Sequence, residues 1–391
     1  MRNFDIAIIG GSFSGMTAAL SLANISSDLK IAVIEKNDII NIDRKRDGRG
    51  YAISNSSLKL FDEIGILEKV KVNAGIIKDI RITDYKSMVV LDFLSKDVSE
   101  ENFGFLIESF EIHNALRNKL IKTPNIKIYC PNSYDNIIFE NNSAEITLDN
   151  NEKISAKIFL ACDGRFSDLR SKFNISTKIK KYDQTAIVFN IWHSQPHKNI
   201  AWERFMPKGP IAILPLKDQH NSSVVWIVSD EQAEPLKSLE DNSFEFYLNR
   251  KIENCLGEIK LISDKYSYPL ILAQANNFFY KKMILVGDAA CGIHPIAGQG
   301  LNLGISSVII FRDLVKKYFY SGLDINSDIL IEEYNRLAKF NSRKMVIATD
   351  LINSIFETKN IAIKVSRNIG LGIVKRISLV KKLLIKNAGG F

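Results

Sequence analysis

The stretch Ile284–Gly304, ILVGDAACGIHPIAGQGLNLG, decides the reading of this chain. Met283–Val286 reads as a short buried strand that breaks at Gly287-Asp288. A loop through His294-Pro295 follows, stiffened because Pro295 holds its own φ. Gly298-Gln299-Gly300 then opens a helix. Two glycines flanking Gln299 let the backbone approach a flat ligand, since no Cβ intervenes. A helix beginning near Gly298 aims unpaired N–H groups, and roughly half a positive charge, at whatever precedes it. That suits a group that becomes negative during turnover. Read alone, the stretch also fits a plain Gly-rich strand-to-helix loop.

A second Gly-rich element at the far end of the chain separates these readings. Asp5–Ile9 (DIAII) is a continuous apolar strand, followed by Gly10-Gly11-Ser12-Phe13-Ser14-Gly15 and a helical pattern through Ala23. Lys30–Ile34 (KIAVI) is a second buried strand that ends on Glu35. A βαβ unit with an acid about 20 positions beyond its last loop glycine is the dinucleotide fingerprint. Loop N–H groups and the helix N-terminus hold a pyrophosphate, and Glu35 accepts hydrogen bonds from an adenosine ribose. Ser12 occupies the second glycine position, exchanging backbone proximity for a hydroxyl donor. An acid at the end of the second strand favours an unphosphorylated ribose, as in FAD or NAD.

The chain then leaves the dinucleotide pattern for a polar loop, Asp47–Ser57, and a helix Leu58–Ile64 that stops at Gly65. Arg49 in that loop reads either as a solvated charge or as a clamp on a cofactor phosphate. Asp79–Leu94 alternates like two antiparallel strands with a turn near Lys86. Phe105–Ile107 leads into a helix around Ile112–Leu120, with His113 as a partly exposed, satisfied histidine. Ile126–Cys130, Tyr134–Glu140 and Ala144–Leu148 read as a small meander turned by Asn150-Asn151. Ile154–Cys162 is another buried strand, and it runs into Asp163-Gly164 and a helix carrying Arg170. Asp163 reads either as a helix N-terminal acid or as a neighbour of cofactor phosphates. Thr185–Trp192, Pro210–Leu216, Ser222–Val228 and Glu258–Tyr268 form a separate antiparallel sheet, interrupted by a helix, Leu239–Ile252. Trp202–Pro210 precedes its most apolar strand, which is placed to wall an apolar pocket or to fill core.

Composition narrows the class. With 391 residues the chain supports two or three domains, and 46% hydrophobic with 25% charged content is ordinary for a soluble enzyme. The net charge of +8 permits an anionic partner, yet no basic run interleaves with aromatics, so a nucleic-acid role is not expected. Four cysteines without CxxC spacing and five scattered histidines read as reduced thiols and no metal centre. A strand begins within four residues of the start, so no signal peptide is expected, and no apolar run reaches a membrane-spanning length. A helix from about Gly298 to Tyr318 and a helical tail, Asp328–Phe391, end the chain. After Glu357 that tail is basic without an acid, and it reads as a membrane-surface or acidic-partner contact, or as a solvated helix face.

Three elements therefore stand in fixed order: GGSFSG with Glu35, the Asp163-Gly164…Arg170 turn, and Gly287-Asp288…Pro295…Gly298-Gln299-Gly300. That order resembles the class A flavoprotein aromatic hydroxylases. The wording of DGRGYAIS (47–54), WERFMPKGPIAILPL (202–216), HPIAGQGLNLG (294–304) and RNIGL (367–371) resembles their ubiquinone-biosynthesis branch, which hydroxylates polyprenylated phenols. The resemblance implies a p-hydroxybenzoate hydroxylase-like α/β fold: a Rossmann-like FAD-binding domain, an antiparallel β-sheet substrate domain and a C-terminal helical tail. Residues 1–75, 100–180 and 275–325 would form the first, 76–99 with 181–274 the second, and 326–391 the third. By the same resemblance Gly10, Ser12, Phe13, Ser14, Gly15, Glu35, Lys36 and Arg49 would hold the adenosine and pyrophosphate of FAD. Asp288 would bond the ribityl or pyrophosphate, and Asp163 and Arg170 match a motif linked to the pyrophosphate and to reaction with nicotinamide. Pro295, Gly298, Gln299, Gly300, Leu301 and Asn302 would line the flavin, with the Pro295 and Gly298 backbone at its substrate face. No side-chain base is assignable. The sequence departs from the family at Ser12, at Cys291 (often His or Gln) and at Ser306-Ser307 (commonly Arg-Asp).

The implied reaction is ring hydroxylation of a prenylated phenol by O₂ through a hydroperoxyflavin, with NAD(P)H as a transient reductant. A flavin reductase or halogenase of the same fold, or a non-catalytic flavin-binding subunit, are the alternatives. The expected location is the cytoplasm, with peripheral contact at the inner membrane face through the basic tail.

Overall fold

The computed structural model describes residues 1–41, 47–84, 90–98, 100–140, 143–206, 208–293 and 299–357. Strand Arg2–Ile9, whose last four residues are buried, lies at the centre of a parallel array. Ile31–Ile34 pairs with it on one side and Lys153–Ala161 on the other. Ile126–Tyr129 and Met283–Leu285 extend the array at its two ends, again in parallel. Strands covered by helices on both faces must be apolar throughout, which is why DIAII, KIAVI and IFLA carry no alternation. Helices Phe13–Ala23, Ser109–Ile121, Gln299–Tyr320 and Asp328–Glu357 contribute buried residues to the same core.

Ile126–Cys130 is not part of a meander. Its strand pairs in parallel with Ile31–Ile34 after the crossover helix Ser109–Ile121, and the antiparallel run is instead Tyr134–Phe139, Ala144–Leu148 and the start of Lys153–Ala161. Short apolar runs do not declare their pairing, and the intervening helix decided it. His113 is likewise buried rather than partly exposed, its ring edge-on to Phe13 at 6.0 Å.

A second, mostly antiparallel sheet has nine strands among the described residues. Its order runs Cys291–Gly292, Tyr266–Ala275, Thr177–His193, Asn221–Ser229, Ile211–Pro215, Ile200–Phe205, Asp79–Asp84, Val90–Leu94, with Ile259–Leu261 beside Thr177–His193. Ile200–Phe205, read from sequence as a lead-in, is itself a strand, and it pairs in parallel with Asp79–Asp84. The expected strand Glu258–Tyr268 is two strands, Ile259–Leu261 and Tyr266–Ala275. The expected helix Leu239–Ile252 is present as Asp241–Lys251, and a further helix not read from the sequence, Asp230–Lys237, precedes it. A small sheet of Gly50–Ile53, Gly104–Glu108 and Gly75–Ile77 lies between the two large ones. Leu106 and Ile77 of the small sheet pack with Ala201, Ala212 and Leu214 of the nine-stranded one.

Candidate functional site

The first Gly-rich turn is held from both sides. Glu35 is buried, and its Oε2 accepts the Gly11 N–H at 2.6 Å while its Oε1 accepts the Asn37 N–H and side-chain amide, each at 2.8 Å. A Cβ on Gly15 would stand 2.9 Å from the Gly10 carbonyl carbon, so the helix begins hard against the strand it leaves. Ser12 is exposed and extended, with no side-chain cap on helix Phe13–Ala23, and the first turn carries no acid. The first N–H groups of that helix are thereby left for a ligand, and the positive end of its dipole is uncompensated. Lys36 is exposed beside this turn, and Phe13 packs edge-on to Tyr51 at 5.4 Å.

The second turn meets the first at Ser14. Strand Met283–Leu285 leads to Gly287, at φ +66°, whose N–H donates to the Ser307 hydroxyl at 3.0 Å. That hydroxyl donates in turn to the Gly304 carbonyl at 2.7 Å, so Ser307 ties the turn to helix Gln299–Tyr320. Ser306 accepts the Asn341 side-chain amide at 2.9 Å, so both serines that replace the family's usual pair are engaged. Cβ atoms added to Gly287 and Gly304 would crowd Ser14, at 2.9 Å from its Cβ and 3.1 Å from its Oγ respectively. Two segments nearly three hundred positions apart thus converge without an intervening side chain. Gly300 lies one turn before Gly304 on the same helix face, and a Cβ there would meet nothing within 4 Å. Leu301 is buried beneath it, and Gln299 approaches the Asn302 amide at 3.4 Å. Pro295 and Gly298 lie outside the described residues.

Around this junction stand several charged groups. The Asp288 side chain is 39% exposed, and Arg165 Nη2 stands 3.4 Å from its Oδ2 while also donating to the Ile293 carbonyl. Arg165 was not singled out in the sequence; its only signal is its place between the Asp-Gly turn and the following helix. Asp163 Oδ2 accepts the Leu169 N–H at 3.1 Å, whereas its Oδ1 is buried with no hydrogen-bond partner. Burial raises the Asp163 carboxyl above its ordinary range. Arg170 is buried, and its Nη1 and Nη2 donate to the Ala289 and Arg165 carbonyls, at 2.8 Å each. It latches the Asp163 turn to the Asp288 turn. Cys291 is buried, its thiol pushed up to about 12, and is therefore not a nucleophile at neutral pH.

Asn302 and Arg49 are engaged within the chain. The Asn302 amide donates to the Ala52 carbonyl at 2.8 Å, and its oxygen accepts the Ser54 N–H at 3.1 Å and the Ser57 hydroxyl at 2.9 Å. The start of helix Gln299–Tyr320 is thus stitched to strand Gly50–Ile53. Arg49 pairs with Asp47, its Nε at 2.9 Å, and lies over the Tyr268 ring at 5.4 Å. Among the described residues no metal-binding cluster of His, Cys, Asp or Glu occurs.

An uncapped helix start, an orphaned buried carboxylate oxygen at Asp163 and open space at Gly300 together fit an elongated dinucleotide rather than a compact anion. The family model "FAD binding domain" matches residues 3–317, and the chain belongs to that family as an FAD-dependent monooxygenase. Ubiquinone hydroxylase UbiL of Rhodospirillum rubrum is 30% identical to it, over 99% of this chain and 89% of that protein. Ubiquinone hydroxylase UbiM of Neisseria meningitidis is 26% identical over 99% of this chain and 84% of its own length. PqsL of Pseudomonas aeruginosa, a probable FAD-dependent monooxygenase, shares the fold at a TM-score of 0.79 and 15% identity, covering 95% of this chain and 99% of that one.

Proposed function

We propose that this protein hydroxylates the ring of a polyprenylated phenol in ubiquinone biosynthesis. The observation that carries the proposal is the junction at Ser14, where both glycine turns required to cradle one FAD meet. Bound FAD supplies the redox chemistry that activates O₂ for transfer to an electron-rich ring. Gly10, Ser12, Phe13, Ser14, Gly15 and the uncapped helix start hold its pyrophosphate. Glu35 fixes the loop through Gly11 and stands beside the ribose, with Lys36 and Arg49 near the adenosine half. Asp288 and Asp163 face the middle of the cofactor, and Arg170 keeps their two turns in register. The start of helix Gln299–Tyr320 places N–H groups at the flavin, with Gln299, Gly300, Leu301 and Asn302 forming and supporting its edge, and stabilises negative charge there.

In this reading residues 1–75, 100–180 and 275–325 hold FAD, while 76–99 and 181–274 supply the wall against which the ring lies. NAD(P)H visits transiently. No helix of the described residues is long and apolar enough to cross a membrane. The lipid-soluble substrate is met at a membrane surface through the basic tail, which lies outside the described residues. Two measurements test the proposal. Cells lacking the protein accumulate a quinone precursor one hydroxyl short, and the purified flavoprotein incorporates ¹⁸O from ¹⁸O₂ into a prenylphenol; unlabelled product or an unchanged precursor pool refutes it. Flotation on anionic liposomes, lost when residues after Glu357 are removed, tests the membrane contact, and equal flotation of both forms defeats it.

A further inference from the structure

Register places one carboxylate in the middle of an apolar row. Across the nine-stranded sheet, directly opposed residues run Tyr266, Val188, Val225, Ala212, Glu203, Ile82, Leu91. Opposed residues share a sheet face, and along its own strand Glu203 shares that face with Ala201 and Phe205. Ala201 and Ala212 pack with Leu106 and Ala52 of the small sheet, so this face is the one turned toward the FAD-binding elements. Ala52 is the residue whose carbonyl accepts the Asn302 amide, one turn along from Gln299. At the other end of the row, Tyr266 packs against Gly48, beside Arg49.

Glu203 itself is half-buried. Among the described residues it has no hydrogen-bond or ion-pair partner, and burial alone pushes its carboxyl up to about 7. The other titratable groups on this face are Asp84, opposite Phe205, Tyr266 and Tyr268, with the Arg49 guanidinium over the Tyr268 ring; Glu108 lies on the Leu106 side of the overlying strand. Arg81, Asp92 and Arg204 stand on the reverse face by strand alternation. Two further oxygens on the same face, Asn190 Oδ1 and Ser223 Oγ, are buried without a partner. A carboxylate left without a partner in a dry row is costly unless a ligand completes it.

We propose that Glu203 is the proton acceptor for the ring hydroxyl of the substrate. This rests on the phenol-hydroxylase reading above. The phenol O–H bond breaks, its electron pair stays on the phenolic oxygen, and the proton forms an O–H bond to a Glu203 carboxylate oxygen. Water later removes that proton, and nothing is oxidised in the step. The phenolate pushes density into the ring, which is what an electrophilic oxygen donor requires. Below neutrality Glu203 is itself protonated and does not accept, so activity rises with pH through about 7.

The test uses the FAD-loaded protein, a short-chain 2-alkylphenol and its O-methyl ether as probes, and the isosteric E203Q and shorter E203D variants. In ligand-free protein, the wild-type-minus-E203Q infrared difference spectrum shows a carboxylic acid band that titrates near pH 7. Binding of the ether is unchanged in E203Q. The acid limb of kcat/KM disappears in E203Q, with a loss of about 10²–10⁴-fold that E203D partly restores. Hydroxylation in E203Q at an undiminished rate and with an unchanged acid limb overturns the assignment. If neither probe binds while the infrared titration holds, the phenol reading fails and the proton-acceptor role falls with it.

Discussion

Consider replacing Gly287 with alanine. The added Cβ lies 2.9 Å from the Ser14 Cβ and closer still to its hydroxyl, and the backbone stands at φ +66°. Overpacking of this kind costs about 1–3 kcal/mol, and a Cβ in the left-handed region costs a further 1–2 kcal/mol or so. G287A therefore destabilises by about 2–5 kcal/mol. S14G alone costs about 0.5–1 kcal/mol, the penalty of glycine in a helix. In the double variant the clash is gone and the backbone strain remains, so about 1–3 kcal/mol of the combined loss returns. Urea unfolding of the four apoproteins, followed by far-ultraviolet circular dichroism, measures that coupling. Strict additivity, within about 0.5 kcal/mol, refutes the contact between the two glycine turns and with it the single cofactor cradle.

Three other outcomes follow from the site. G300A stabilises the helix by about 0.5–1 kcal/mol, since a Cβ there meets nothing, yet weakens FAD binding; a flavin fluorescence titration separates the two effects, and unchanged affinity removes Gly300 from the cradle. N302L strands the Ser54 N–H, the Ser57 hydroxyl and the Ala52 carbonyl, at about 1–3 kcal/mol for each group left unpaired, and a thermal melt within one degree or so of wild type contradicts the stitch. Burial depresses His193 and His197 below the ordinary histidine value, so the unfolded chain takes up protons that the native sheet refuses. Their contribution to stability is complete above the unfolded value of about 6.5 and is lost as pH falls from there through their lower native values; a urea midpoint flat from about pH 8 to 5 would overturn this.

The basic tail and the Pro295–Gly298 segment remain matters of sequence, since both lie outside the described residues. For the rest, legibility followed range. GGSFSG, DIAII and KIAVI were readable because turn chemistry and apolar runs act over a few residues, and Gly10, Gly15 and Gly287 sit where no other side chain fits. The order of the three motifs, and hence the FAD-binding class, was likewise present in the linear chain.

What folding alone decided is which residues face one another. Ile126–Tyr129 joined the parallel sheet because a helix carried it there, and Asn302 became a stitch because Ala52 and Ser54 arrived opposite it. Glu203 is one charged letter among several in WERFMPK until strand register sets it between Ala212 and Ile82. A strand's own alternation sorts its residues onto two faces, but which face is core and what covers it depend on pairings made across dozens of positions. Chemistry held in one turn is written locally, whereas chemistry assembled across strands exists only once the sheet has closed.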